Sequence, residues 1–206
     1  MARIFSQAAK QSLTQEVFES SIKESVISRL SHHQEITDAL AWYDTPVGQR
    51  VANANQSDQY AISQRVENGA RPQLSAERKQ LIHQLDRIVM GSDNMLRLAV
   101  DTGVAMGYSM MTAMGVPVTE EQVREMTEAQ VLAQGAELVL KYQATLAYTY
   151  ESLSDNDLRE YIVFMLKPES TILNDAMWNG ISNAVATAGA SMGSMLAEEL
   201  QAGFEL

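Results

Sequence analysis

Cysteine is absent from this chain. With it go zinc-finger spacings, dithiol redox motifs, thiol nucleophiles and disulfide bracing, an absence that fits the cytoplasm and the bacterial periplasm equally. Basic residues are scarce, since 15 Lys and Arg stand against 26 Asp and Glu and leave a formal net charge of −11 at pH 7. Such a chain repels polyanions and carries no basic footprint, so no nucleic-acid partner is expected. Long runs of large apolar residues are missing as well. The longest uncharged stretch, 176–197, has a spanning length but is dominated by Ala, Gly, Ser and Asn. No membrane span is therefore expected. Only four prolines occur in 206 residues, and aromatics make up 6%.

What is present is enough for a core. Hydrophobic residues are 46% of the chain, and a chain of this length buries roughly 70% of its unfolded surface. Apolar residues recur at spacings of three and four, and the period of two that marks half-buried strands is rare, so the chain reads as all-α, a single domain over 1–206 with about eight helices.

A first helix carries Phe18, Ile22, Val26 and Leu30 on one side, and a short second one carries Ile36, Leu40, Trp42 and Tyr43. Thr45 before Pro46 is a cap ahead of the one helical position where proline is favourable, and a third helix is expected from there through Val51, Tyr60, Ile62 and Val66. The run 68–72 is the clearest break. Ser75 then caps a helix through Leu85 and Val89, a second break is expected at Gly91-Ser92-Asp93, and a Met-rich helix runs from about Met95 to Met114. Thr119 and Gln122 match a capping box that opens a long helix ending near Leu153. Ser154 caps a short helix to Leu166, and Pro168 begins a last one towards Leu200.

Shifting the chain against itself brings Ile36, Leu40, Trp42, Pro46 and Val51 into register with Leu158, Ile162, Phe164, Pro168 and Leu173. An internal duplication of a helix-corner-helix unit is expected, with half-repeats at about 14–66 and 136–200, and connecting helices over about 75–132, the Met-rich one central. The segment Trp42-Tyr43-Asp44-Thr45-Pro46-Val47-Gly48 is similar to the signature of a bacterial family called domain of unknown function 2059, an aromatic-rich short helix followed by a Ser/Thr-Pro-x-Gly corner. The second copy, from Phe164 to Ser170, resembles it more weakly, with Lys167 for the capping residue and Ser170 for the glycine. The resemblance implies a small helical protein of the bacterial envelope with no assigned activity. It places the protein in the periplasm or outside the cell if a signal peptide has been removed; otherwise the apolar-poor start indicates the cytoplasm.

Physically, the corner reads as architecture: Thr45 caps, Pro46 fixes the first turn, and Gly48 lets Trp42 and Tyr43 come close to the backbone.

Recognisable catalytic chemistry is missing. Gly189-Ala190-Ser191-Met192-Gly193 fits a nucleophile pattern that needs a strand before the serine and a histidine after it. Neither is expected, and Gly189, Gly193 and Ala197 read instead as a surface that lets another helix approach. The histidines are His32, His33 and His83, with no metal-binding spacing, so no metal ligand, catalytic residue or cofactor is expected. Arg97 and Asp101 are spaced to pair along a helix. Met106, Met110, Met111 and Met114 form a flexible apolar stripe that reads as core or as the lining of a pocket or groove. The expected function is a non-catalytic interaction module of the bacterial envelope, binding a protein or peptide. The alternative is a carrier or sensor of a small apolar ligand held between methionine-lined helices.

Overall fold

A computed structural model describes residues 12, 14–29 and 33–204. Among the described residues there are nine helices and no strand: α1 Gln15–Ile27, α2 His33–Tyr43, α3 Pro46–Asn55, α4 Gln59–Glu67, α5 Ala76–Val89, α6 Gly91–Ala113, α7 Glu120–Thr149, α8 Asp155–Met165 and α9 Pro168–Phe204. The all-α expectation holds. No helix among the described residues is long and apolar enough to cross a membrane.

Local chemistry sets most boundaries. The hydroxyls of Thr14, Thr45, Ser75 and Ser154 each accept a backbone N–H of the first turn that follows, meeting donors the helix itself leaves open. At α7 the capping box forms as expected: Thr119 N–H donates to the Gln122 side chain at 2.9 Å and Gln122 N–H to Thr119 Oγ1 at 3.2 Å.

Two boundaries differ from the sequence expectation. The single helix expected from Pro46 to Val66 is two, because Asp58 accepts the Ala61 N–H at 2.9 Å and starts α4 afresh. The second break falls at Met90, which takes a left-handed conformation (φ 49°), and α6 already begins at Gly91. There the Asp86 carboxylate accepts from both the backbone N–H and the hydroxyl of Ser92, satisfying the new helix start. Gly91 has no room for a side chain, since a β-carbon would overlap the Tyr142 ring.

The chain groups into two compact units. One takes in 1–28, 96–135 and 176–206 as far as these are described, and the other 29–95 and 136–175. Both corners lie in the second unit, whereas the expected half-repeat 14–66 draws on both units.

In the second unit α3 and α5 each pack on α8, around a core that includes Val51, Leu85, Leu158 and Phe164. Trp42 and Phe164, equivalent in the sequence match, stack directly, with centroids 4.0 Å apart and planes 4° from parallel. Tyr43 meets both rings edge-on. The backbone carbonyls of these two residues are served alike. Trp42 O accepts from Thr45 N–H and from the Thr45 hydroxyl; Phe164 O accepts from Lys167 N–H and from the Ser170 hydroxyl. At the second corner Lys167 thus lacks the hydroxyl that Thr45 carries, and Ser170 supplies one. At Gly48 a β-carbon would overlap the Trp42 carbonyl, so the glycine admits the backbone of residues 42 and 43 and not their rings.

Two expectations follow for stability. Gly48→Val should cost about 2–3 kcal/mol through overpacking against that backbone, and Ser170→Ala about 1 kcal/mol through the lost hydrogen bond, both read by denaturant unfolding. An unchanged midpoint for Gly48→Val would remove the close-approach argument. Asp157 gives a pH dependence. The Arg50 guanidinium, with help from Ser154, holds its carboxyl down to about 2. A depressed carboxyl stabilises the fold above its unfolded value near 3.9 and loses that contribution as pH falls through the folded value. Stability should therefore drop between about pH 4 and pH 2, and Arg50→Gln should flatten that drop. A parallel profile for the variant would refute the pairing.

Candidate functional site: an open groove in the first unit

The first unit is held by helix contacts of unusual closeness. Along α9, Gly180 lies against the backbone of Ser21 and Ile22 in α1, and Gly189 and Gly193 lie against the backbone of α6 near Thr102 and Met106. Ser21 and Ser25 donate to the Gly180 and Ala176 carbonyls at 2.9 and 2.7 Å, so α1 runs antiparallel to α9. The rising register of the Gly189 and Gly193 contacts makes α6 parallel to α9. On another side of α6, Gly103 and Gly107 face Thr127 and Val123 of α7.

Between α7 and α9, over α6, an open groove of about 600 Å³ remains. Its α6 wall carries Asp101, Val104, Ala105, Tyr108, Ser109 and Thr112; Ser182, Asn183, Ala186, Ala190 and Ser194 line it from α9. At 1.5 Å per residue, the stretches 101–112 and 182–194 make it about 18 Å long. Ser109 donates to the Ala190 carbonyl at 2.8 Å and lies 2.8 Å from the Ser194 hydroxyl, joining the two walls. Charge collects at the α7 side, where Arg124 meets Asp101 at 3.1 Å and Glu120 at 3.7 Å. The Asp101 hydrogen bond raises the arginine further above its already high range. Asp101 is thus engaged by Arg124, a partner that the Arg97 spacing did not suggest.

The methionines do not line this groove. At 100° per residue, Met106 and Met110 point about 160° away from Tyr108, on the far side of α6. Met106 and Met110 are partly buried there; Met111, about 60° from Tyr108 on the wheel, is partly buried without lining the groove, and Met114 is exposed. The groove stripe carries a polar signal within an apolar helix, Asp101, Tyr108, Ser109 and Thr112, that the conspicuous methionines obscured.

Other candidate residues also have places. Ser191 lies within the continuous helix α9 and not on a strand-to-helix turn, and its hydroxyl accepts from Ser12. Gly189 and Gly193 serve as the surface for close approach, with Ala197 fully buried. His83 is exposed, and His32 lies outside the described residues, as does the side chain of His33. Among the described residues no three His, Asp or Glu side chains are grouped to hold a metal ion. Trp42, Tyr43, Thr45, Pro46, Gly48, Phe164 and Pro168 form the two corners of the second unit. No protein-family model, curated protein or solved structure matches the chain.

Truncating the methionines should separate packing from binding. Met106→Ala is expected to cost about 2 kcal/mol and Met114→Ala less than about 1, in line with their burial. Neither should change uptake of an apolar dye by the groove, whereas Ala186→Trp should abolish it. Dye uptake lost on Met106→Ala and kept on Ala186→Trp would move the site to the other side of α6.

Proposed function

We propose that the protein is a non-catalytic helical interaction module that receives one face of an amphipathic helix from a partner protein in the groove over α6. The shape of the groove carries this reading. It is open along about three helical turns, and Val104, Ala105, Ala186 and Ala190 line it with short apolar side chains beside the hydroxyls of Ser109, Ser182 and Ser194. A row of side chains from one helix face fits such a trough. A small-molecule carrier encloses most of its ligand's surface, and a trough open on one side encloses little. Small residues along the walls let a partner come near, and the Asp101–Arg124–Glu120 end supplies directional polar contacts. With a net charge of −11, the chain favours neutral or basic partners.

The likeness of Trp42 to Gly48 to the domain of unknown function 2059 signature supports a setting in the bacterial envelope, and the stacking of Trp42 on Phe164 supports an origin of the two corners by duplication.

The deciding experiment compares quantitative affinity purification from the native host for the wild type, Ala186→Trp and Ala190→Trp, with native mass spectrometry of the purified wild type. A protein recovered with the wild type and depleted at least tenfold with both groove variants is expected. An apolar small molecule retained by the wild type and lost from both variants, with no protein so affected, would replace this reading with the carrier.

A further inference from the structure

We infer that a second, separate groove, in the unit that holds the corners, binds a small molecule bearing a multiply charged oxyanion. The groove has a volume of about 580 Å³ and is lined by Arg65, Arg71 and Arg78 together with Tyr148 and Glu151. Three guanidinium groups stand in its wall beside the Glu151 carboxylate, and with the Asp155 carboxylate that engages Arg78 counted the bases still lead by three to two, in a chain where acids outnumber bases 26 to 15.

Each arginine is held in place by something other than a ligand. Arg65 lies over the Tyr148 ring with its guanidinium carbon 3.9 Å from the centroid, and its pairing with Glu151 is long, at 3.6 Å. Stacking fixes the guanidinium plane and leaves its N–H edge for an anion. Arg71 donates through one terminal nitrogen to the carbonyls of Val66, in the last turn of α4, and Ala70, just beyond it, so that nitrogen is bonded to backbone and to no carboxylate. Arg78, with a side chain 14% exposed, is anchored to Asp155 and to the Tyr150 carbonyl, both at 2.6 Å. Ordered, planar donors around one concavity suit bidentate capture of phosphate or carboxylate oxygens. The concavity is larger than a bare ion needs, so the anion is carried on a small organic body.

Isothermal calorimetry at constant ionic strength tests this, with inorganic phosphate, glycerol phosphate and citrate as probes and sodium chloride as the balancing salt. Saturable one-site binding is expected for a phosphate probe or for citrate, and the tighter of the two identifies phosphoryl or polycarboxylate chemistry. Arg71→Gln and Arg65→Gln should each weaken it by about tenfold, the size of one charge-assisted hydrogen bond. Glu151→Gln, which removes the competing carboxylate, should tighten it several-fold. That gain guards against variants that lose binding only because α4 or α5 is disturbed. Non-saturating heats for all three probes, or equal affinity in wild type, Arg65→Gln and Glu151→Gln, would overturn the inference.

Discussion

Wherever two backbones approach within contact distance, the residue between them has to be small, and this steric constraint governs both units of the chain. In the second unit it acts once, at Gly48 beneath the Trp42 carbonyl. In the first it acts along a whole helix, at Gly180, Gly189 and Gly193. A helix this poor in large side chains has little hydrophobic area to offer, and so hydroxyls share the work. Ser21, Ser25 and Ser109 each donate to a carbonyl of α9. A carbonyl already bonded within its helix can accept a second hydrogen bond through its other lone pair, so these contacts add cohesion without breaking the helix.

The same constraint produces the groove. Large residues between α7 and α9 would have filled the space over α6, and Ala105, Ala186 and Ala190 leave it open. Close packing below and vacancy above are two consequences of one choice of side chain. The aromatic cluster shows the opposite solution. Trp42, Tyr43, Tyr161 and Phe164 fill the space between the corners with rings. Burial pushes the Tyr43, Tyr150 and Tyr161 hydroxyls well above their usual range, which keeps them neutral where an ionised phenol would be costly.

Residue patterns reveal what is local. Thr45-Pro46, Ser75, Thr119-Gln122 and Ser154 announce their helices because a cap is decided within four residues. The corner match likewise rests on local spacing, and the two residues it aligns, Trp42 and Phe164, stack on one another. The boundary at Asp58 was not legible: Asn, Gln and Ser around it suit a polar helix face and a turn equally, and only the bond to Ala61 N–H decides. The groove was missed on a matter of angle. Methionines and groove residues share α6, and which side stays open depends on α7 and α9, remote in the chain. Arg65, Arg71 and Arg78 lie within one segment, but Tyr148 and Glu151, which complete their wall, come some seventy to eighty residues later.

Charge distinguishes the two concavities. The groove of the first unit carries one arginine between two carboxylates, so its field is nearly balanced and its walls are mostly uncharged. On the reading proposed above, contact there would depend on shape, which suits a partner presenting a row of side chains. The arginine groove is polar and locally positive against the charge of the whole chain, so it concentrates anions that the rest of the surface repels. An oxyanion drawn to Arg65 has to compete with Glu151, and its long ion pair is weak enough to yield, because exposed pairs of this kind contribute only about 0–1 kcal/mol. Arg78, shielded and doubly anchored, cannot yield in this way and instead keeps the wall in place.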